Sequence, residues 1–265
     1  MRVLSRLAPV CALLFLLAAG CDTIVQEEAR PPTLIPAQAF TVETELFEQE
    51  LSTKTEIGTH AMIARLRVWP VTTALAGYLA LPAAVTQAAL DEKPAVENGA
   101  WVWKAKVATA QQKVAFTLAG TVHEGHVDWT MRVAPAEPDT DSTVVLYTAK
   151  TAPDGSSGAW KLFAPTEDTT RHVLDAAFEI DQDGKKKTIT FWVPPTASEH
   201  AGDAVVYAQE GDRRSIQWSQ VDAGREHVVA WNAEGYAGSI TATNYNDGAQ
   251  ACWDDDLQNE TCPNP

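Results

Sequence analysis

Positive charge is scarce in this chain. Lys and Arg number 20 against 35 Asp and Glu, a formal net charge of −15 over 265 residues. Such a balance repels nucleic-acid phosphate and anionic lipid, so nucleic-acid binding is set aside. Cysteine is scarce too, with four in all, and no Cys/His cluster carries metal-ligand spacing. No phosphate loop is present. "HEGH" (His123–His126) is not the HExxH pattern, which needs a helix to bring its histidines together. "DGSSG" (Asp154–Gly158) is not the GxSxG elbow, because no strand-then-helix context surrounds it. The expectation is a protein that is not an enzyme, with no cofactor and no metal.

What the sequence does have begins at its start. "MRVLSRLAPVCALLFLLAAGC" shows a short basic opening, an apolar run too short to span a bilayer, and small residues before a cysteine. It resembles a bacterial lipoprotein signal peptide. The resemblance implies a signal peptide over 1–20, cleavage before Cys21, lipid attachment to Cys21 and a membrane anchor there. Leu17, Ala18, Ala19 and Gly20 fill the lipobox. One departure is that leucine lies four residues before the cysteine instead of three. Acyl chains anchor through burial worth about 0.8 kcal/mol per CH₂. Residues 21–38, rich in Pro and charge, read as an extended tether. Asp22 is compatible with either membrane. The expected location is the cell envelope, with the outer membrane preferred to the inner and the domain in the periplasm or at the cell surface.

With Cys11 in the leader and Cys21 lipidated, Cys252 and Cys262 remain. In an oxidising compartment they are expected to close a C-terminal loop as a disulfide. A two-thiolate metal site is the alternative, but it lacks further ligands. The acids of "WDDDLQNE" (Trp253–Glu260) lie inside that loop and do not follow the EF-hand register.

Residues 39–265 read as one β-rich domain. "AFTVETELF" (39–47) alternates Phe40, Val42 and Leu46 against Thr41, Glu43 and Glu45, which suggests a first strand. Residues 59–91 read as helical. Val68 to Leu90 carries no charge, but its prolines, glycine, glutamine and threonines argue against a membrane span. Two short helices are expected, with Pro82 in the first turn of the second. From Gly99 to about Asn244 the period is two, and turn signals cut it into ten or eleven short strands. The expected fold is mainly β: an antiparallel meander forming a barrel or half-barrel, with one or two N-terminal helices against its apolar face. Closure would also remove exposed strand edges.

The stretch "TVHEGHVDW" (Thr121–Trp129) fixes one register. With Glu124-Gly125 as a two-residue turn, His123 faces His126 and the pairing runs back to Phe116 opposite Val133. One face is then Phe116, Leu118, Val122, Val127, Trp129, Met131 and Val133. The other carries Thr121, both histidines and Asp128. A slip of one residue would mix the two faces. The histidines are expected at a solvated tip, not in a metal site.

Trp101, Trp103, Trp129, Trp192 and Trp218 sit in strand patterns, as packed core or as the wall of a cavity for an apolar or sugar ligand. Trp101, Trp103, Phe116, Trp129 and Met131 are the expected cavity-lining set. "PAQAFTVETELF", the proline-broken Ala-rich helix, "GAWVWKAKV", "DGSSGAWKLF" and "CWDDDLQNETC" together resemble an uncharacterised group of lipoproteins from Bacteroidetes-like bacteria. That resemblance implies the envelope address and the β-rich fold, and no site residues. The architecture is also similar to half-barrel lipoprotein carriers, at the level of fold alone. The expected function is a non-enzymatic envelope lipoprotein binding an apolar small ligand. The alternatives are a solidly packed structural or interaction lipoprotein, and a hydrolase with a site hidden from sequence.

Overall fold

The computed structural model describes residues 30–47, 56–108, 113–135, 143–165, 170–196 and 200–263. The expected leader over 1–20, the expected lipidation site Cys21 and residues 22–29 of the expected tether lie outside the described residues. The architecture below falls within Pro31–Pro265.

Among the described residues, fourteen strands form one sheet in which each is antiparallel to the next in sequence. They are β1 (Ala95–Glu97), β2 (Ala100–Ala108), β3 (Lys113–His123), β4 (His126–Pro135), β5 (Val144–Thr151), β6 (Ser157–Pro165) and β7 (Thr170–Ile180). There follow β8 (Lys186–Trp192), β9 (Ala204–Glu210), β10 (Arg213–Gln220), β11 (Arg225–Asn232), β12 (Gly238–Ala242), β13 (Ala251–Trp253) and β14 (Asn259–Glu260). Strands β2 to β12 are the eleven that the period-two pattern outlines. The count of ten or eleven is corrected by β1, β13 and β14, each of two or three residues and too short to show a period. β1 and β14 stand at opposite ends of the pairing order, so among the described residues the sheet is open and no ladder closes it as a barrel.

The β3–β4 register matches the expected one at every pair, from Phe116 opposite Val133 to His123 opposite His126. Gly125 takes φ 79° in the turn, a conformation that L side chains disfavour. Val122 is the exception on the inner face. It is exposed, because the hairpin tip projects past the core. Gly120 pairs with Trp129, and a Cβ there would lie 2.7 Å from the indole. The missing side chain lets the ring lie flat over the neighbouring strand.

The expected first strand is corrected. Ala37–Phe40 forms a 3-10 turn, and the following residues join no ladder. Ile35, Ala39, Phe40, Leu46 and Phe47 are all buried. The segment gains more by crossing the apolar face than by extending the sheet, since its large side chains then meet the interior. Phe40 reaches Tyr147 and Trp160, with centroids 5.6 and 5.4 Å away, and Phe47 stands edge-on to Trp231 at 4.9 Å.

The pair of short helices is also corrected. A single helix, α1 (Thr59–Leu90), contains both Pro70 and Pro82. An internal proline costs a helix about 3 kcal/mol or more, so packing must hold α1 together. Ala61, Ala64, Val68, Thr72, Leu75, Leu79, Pro82, Val85, Thr86 and Ala89 are buried, nearly all at spacings of three and four, one face of a helix. The carbonyls that lose a partner to the prolines belong to Leu66 and Tyr78, both of them exposed residues. By length and composition alone α1 would also suit a bilayer, yet this stripe is seated on the sheet.

The helix joins two cores. Its N-terminal half packs with Ile216, Val229, Trp231, Ile240 and Trp253, and its C-terminal half with Trp103, Phe116, Trp129, Tyr147 and Phe191. Val42, Val71 and Val205 touch both. The first turn of α1 has no cap of its own. Asn259 Oδ1 accepts the His60 N–H at 2.9 Å, and Leu257 O accepts the Gly58 N–H at 2.9 Å. Both acceptors lie in the loop closed by the Cys252–Cys262 disulfide.

Candidate ligand cleft

At the seam between the two cores, beneath the middle of α1, lies a cleft of about 530 Å³. That size is within the usual range for small-molecule sites. Its roof is Pro70, Val71, Ala74, Leu75 and Tyr78, from the helix. Its floor is Val173, Leu174, Phe191, Val205 and Trp218, from β7 to β10. Arg171, His200, Asp203 and Gln220 stand among its polar residues.

Arg171 reaches the cleft because of an irregularity in β7. Leu162 pairs with Leu174, but Phe163 pairs with His172, so Val173 is an extra residue. A bulge of this kind re-aims the side chains beyond it. Val173 and Leu174 are both buried, and Arg171 joins them on the cleft side. Strict alternation from Leu174 would have sent Arg171 to the opposite face.

Asp203 is held by the Val221 N–H at 2.8 Å on Oδ1, and its Oδ2 lies 3.2 Å from His200 Nδ1. A carboxylate that orients an imidazole is part of a general-base arrangement. Among the described residues, Asp203 is the side chain that hydrogen-bonds the His200 ring.

Behind the floor, Trp218 stacks on His227 with centroids 4.6 Å apart and planes at 18°. His227 Nδ1 accepts from Arg67 Nη1 at 3.0 Å, and the same nitrogen of Arg67 donates to Asn244 Oδ1 at 2.6 Å. Because Nδ1 accepts, the ring is the neutral tautomer with its proton on Nε2. Burial, and then the charges of Arg67 and Arg225, hold the His227 pKa below its ordinary 6.5. The unfolded chain takes up a proton near that value while the folded chain refuses it. Stability from this group is therefore full above about pH 6.5 and falls as pH drops from there toward the lowered folded value. We expect the parent to lose more unfolding free energy than His227→Gln between pH 7.5 and pH 5, measured by urea denaturation. Equal losses would remove His227 as a source of acid sensitivity.

At the other end of the inner face, Glu43 joins the crossing segment to two strands. Its Oε2 accepts from Arg214 Nε and Nη2 at 3.1 and 3.0 Å, and its Oε1 is 3.5 Å from Lys187 Nζ. Lys187 also donates to Thr41 O at 3.4 Å and lies 5.0 Å from the Tyr207 ring centroid. Burial is the largest influence on Lys187 and lowers its pKa, with Glu43 opposing. This cluster secures the 41–47 segment to the sheet.

The five residues expected to line a cavity lie elsewhere. Trp103, Phe116, Trp129 and Met131 are buried in the first core and Trp101 packs against it. Trp129 Nε1–H donates to Thr151 Oγ1 at 2.9 Å, which satisfies its polar atom inside that core. Of the five strand tryptophans, Trp192 and Trp218 line the cleft. Pro70, Tyr78 and Arg171 carried no signal in the sequence, because their meeting depends on the bulge and on a continuous helix. In the C-terminal loop, Asp254 Oδ1 accepts the N–H groups of Asp256 and Gln258, and Asp255 Oδ1 that of Ala237. Those acids are engaged in shaping the turn. Comparison with known proteins finds no matching family model, no matching curated protein and no matching solved structure.

Proposed function

We propose that this chain is a lipid-anchored envelope protein whose β domain is a half-barrel that holds an apolar ligand and catalyses no reaction. The observation that carries this reading is the cleft at the seam. It is a gap between α1 and the inner face of the sheet, and its walls are mostly apolar. Arg171 adds a cation beside the apolar walls, and the Asp203 carboxylate is engaged by the Val221 N–H and by His200, an arrangement that suits a ligand with one anionic end and an apolar body. The anchor would be the lipid on Cys21, with the outer membrane as the preferred location. Loss of labelled-palmitate incorporation in Cys21→Ala is the result that supports the anchor. Retained label would defeat it.

Native mass spectrometry of the domain, purified without detergent, is expected to find a co-purified amphiphile. A long-chain fatty acid should quench or enhance the emission of Trp218 and Trp192 on titration. Ala74→Trp, from the exposed side of the helix, should block the cleft and abolish that change while leaving the fold intact. Arg171→Gln should weaken a fatty acid about tenfold, the worth of one charge-assisted hydrogen bond. Binding unchanged in both variants would remove the cleft as the site.

A second reading is a structural or interaction lipoprotein with a filled interior. It is favoured by the dense first core, where Trp103, Phe116, Trp129 and Met131 are all at most 3% exposed. A protein that purifies empty and binds no amphiphile would favour this second reading.

A further inference from the structure

We propose that the tip of the β3–β4 hairpin binds one divalent transition-metal ion, through His123 Nε2, His126 Nε2 and Asp128 Oδ2. Among the described residues this is the one group of three such donors that converges, with all three atoms within 4.8 Å of one another. Asp128 Oδ2 lies 3.1 Å from His123 Nε2 and 3.6 Å from His126 Nε2. A tetrahedral ion with bonds near 2.1 Å holds its ligand atoms about 3.4 Å apart. Two of the separations already bracket that spacing.

The backbone accounts for the convergence. The Glu124-Gly125 turn sets His123 directly opposite His126, and Asp128 is two residues along β4, so all three share the outer face. The rings stack with centroids 4.8 Å apart and planes at 20°, and the Nε2 atoms of both lie near the same Asp128 oxygen. These positions belong to a hydrogen-bonded ladder and not to a free loop, so little order has to be imposed on binding. The sequence fixes the shared face through the register. Rotamers that bring the three donor atoms together are a property of the folded tip.

Two imidazoles and one carboxylate favour zinc, nickel, copper or ferrous iron over calcium or magnesium, whose preferred ligands are all oxygen. Three protein ligands leave at least one position for water or a further ligand. All three side chains retain solvent access, so that position is reachable. The strongly negative chain attracts cations in general, but Lys150 faces Asp128 across the β4–β5 ladder and opposes an ion there. The site is independent of the cleft beneath α1.

The test is a zinc titration of the full chain, without a histidine tag, in competition with a chromophoric chelator and with calcium as a control. One zinc per chain is expected, in preference to calcium. His123→Ala and His126→Ala should each weaken binding at least about tenfold, since even outer-shell partners of metal ligands are worth that much. Lys150→Gln should tighten it. Cobalt(II) should broaden the ring resonances of His123 and His126 before those of His172 or His200. Stoichiometry and affinity unchanged in the His123→Ala/His126→Ala double variant would place the ion elsewhere and overturn the proposal. So would failure of the parent to compete with the chelator.

Discussion

Glu43→Ala is expected to destabilise the domain by about 2–3 kcal/mol, seen as a lowered urea midpoint with an unchanged slope. The reason is what remains behind. Lys187 is 3% exposed and Arg214 9%, and both address the Glu43 carboxylate. Removing one partner of a buried ion pair typically costs about 3–5 kcal/mol, because the stranded charge keeps its desolvation penalty. The Glu43 side chain is 38% exposed, and solvent screening brings the figure to or just below the bottom of that range. Lys187→Met alone should be close to neutral, since a stem already buried keeps its packing and loses a costly charge. In the Glu43→Ala background the same change should recover a large part of the loss. A double-mutant cycle measures that coupling. Additive effects of the two substitutions would show that Lys187 does not depend on Glu43.

Removing the disulfide, by Cys252→Ser with Cys262→Ser, should cost about 3 kcal/mol in the chain-entropy model for a loop of this length. For a domain of this size that corresponds to a fall in Tm of roughly 6–12 °C. The effect should not stay within the loop. Leu257 is fully buried in the second core, Leu257 O accepts the Gly58 N–H, and Asn259 Oδ1 caps the first turn of α1. Gln258 Nε2 also donates to Glu56 O at 3.3 Å. Hydrogen exchange should therefore show the amides of residues 60–64 losing protection before those of residues 79–89. Asn259→Ala with the disulfide intact should reproduce the local part of this change at a cost of about 1 kcal/mol, the usual worth of a helix cap. Uniform loss of protection along α1 would contradict the assignment of this loop as the cap.

The contrast between these two sites shows what kind of information each requires. Cys252 and Cys262 are ten residues apart, and the short loop between them keeps each within reach of the other. The function of Asn259 as a cap depends on a contact across 199 residues, and no local pattern encodes it. Glu43 is similar. Its alternation with Phe40, Val42 and Leu46 suggests a strand with its acids in solvent, whereas the carboxylate is directed at two cations on β8 and β10.

The sequence by itself determined whatever depends on near neighbours. It set the eleven strands β2 to β12, the β3–β4 register and the separation of its two faces, and the pairing of the last two cysteines. Those features follow from a period of two, from the φ a turn demands, and from short loops that cost little entropy to close. The tertiary structure decided the rest. The prolines of α1 break the helix by local rules, yet a stripe of ten buried positions against the sheet outweighs them. The apolar 34–47 segment crosses the inner face because burial there exceeds what an edge strand would gain. The cleft formed where the two cores meet imperfectly, under α1 and beside the β7 bulge, and not at the tryptophans of β2 and β4. Local preferences are worth tenths of a kcal/mol to a few kcal/mol per residue, whereas burial sums over a whole interface. Where the two disagreed in this chain, burial prevailed.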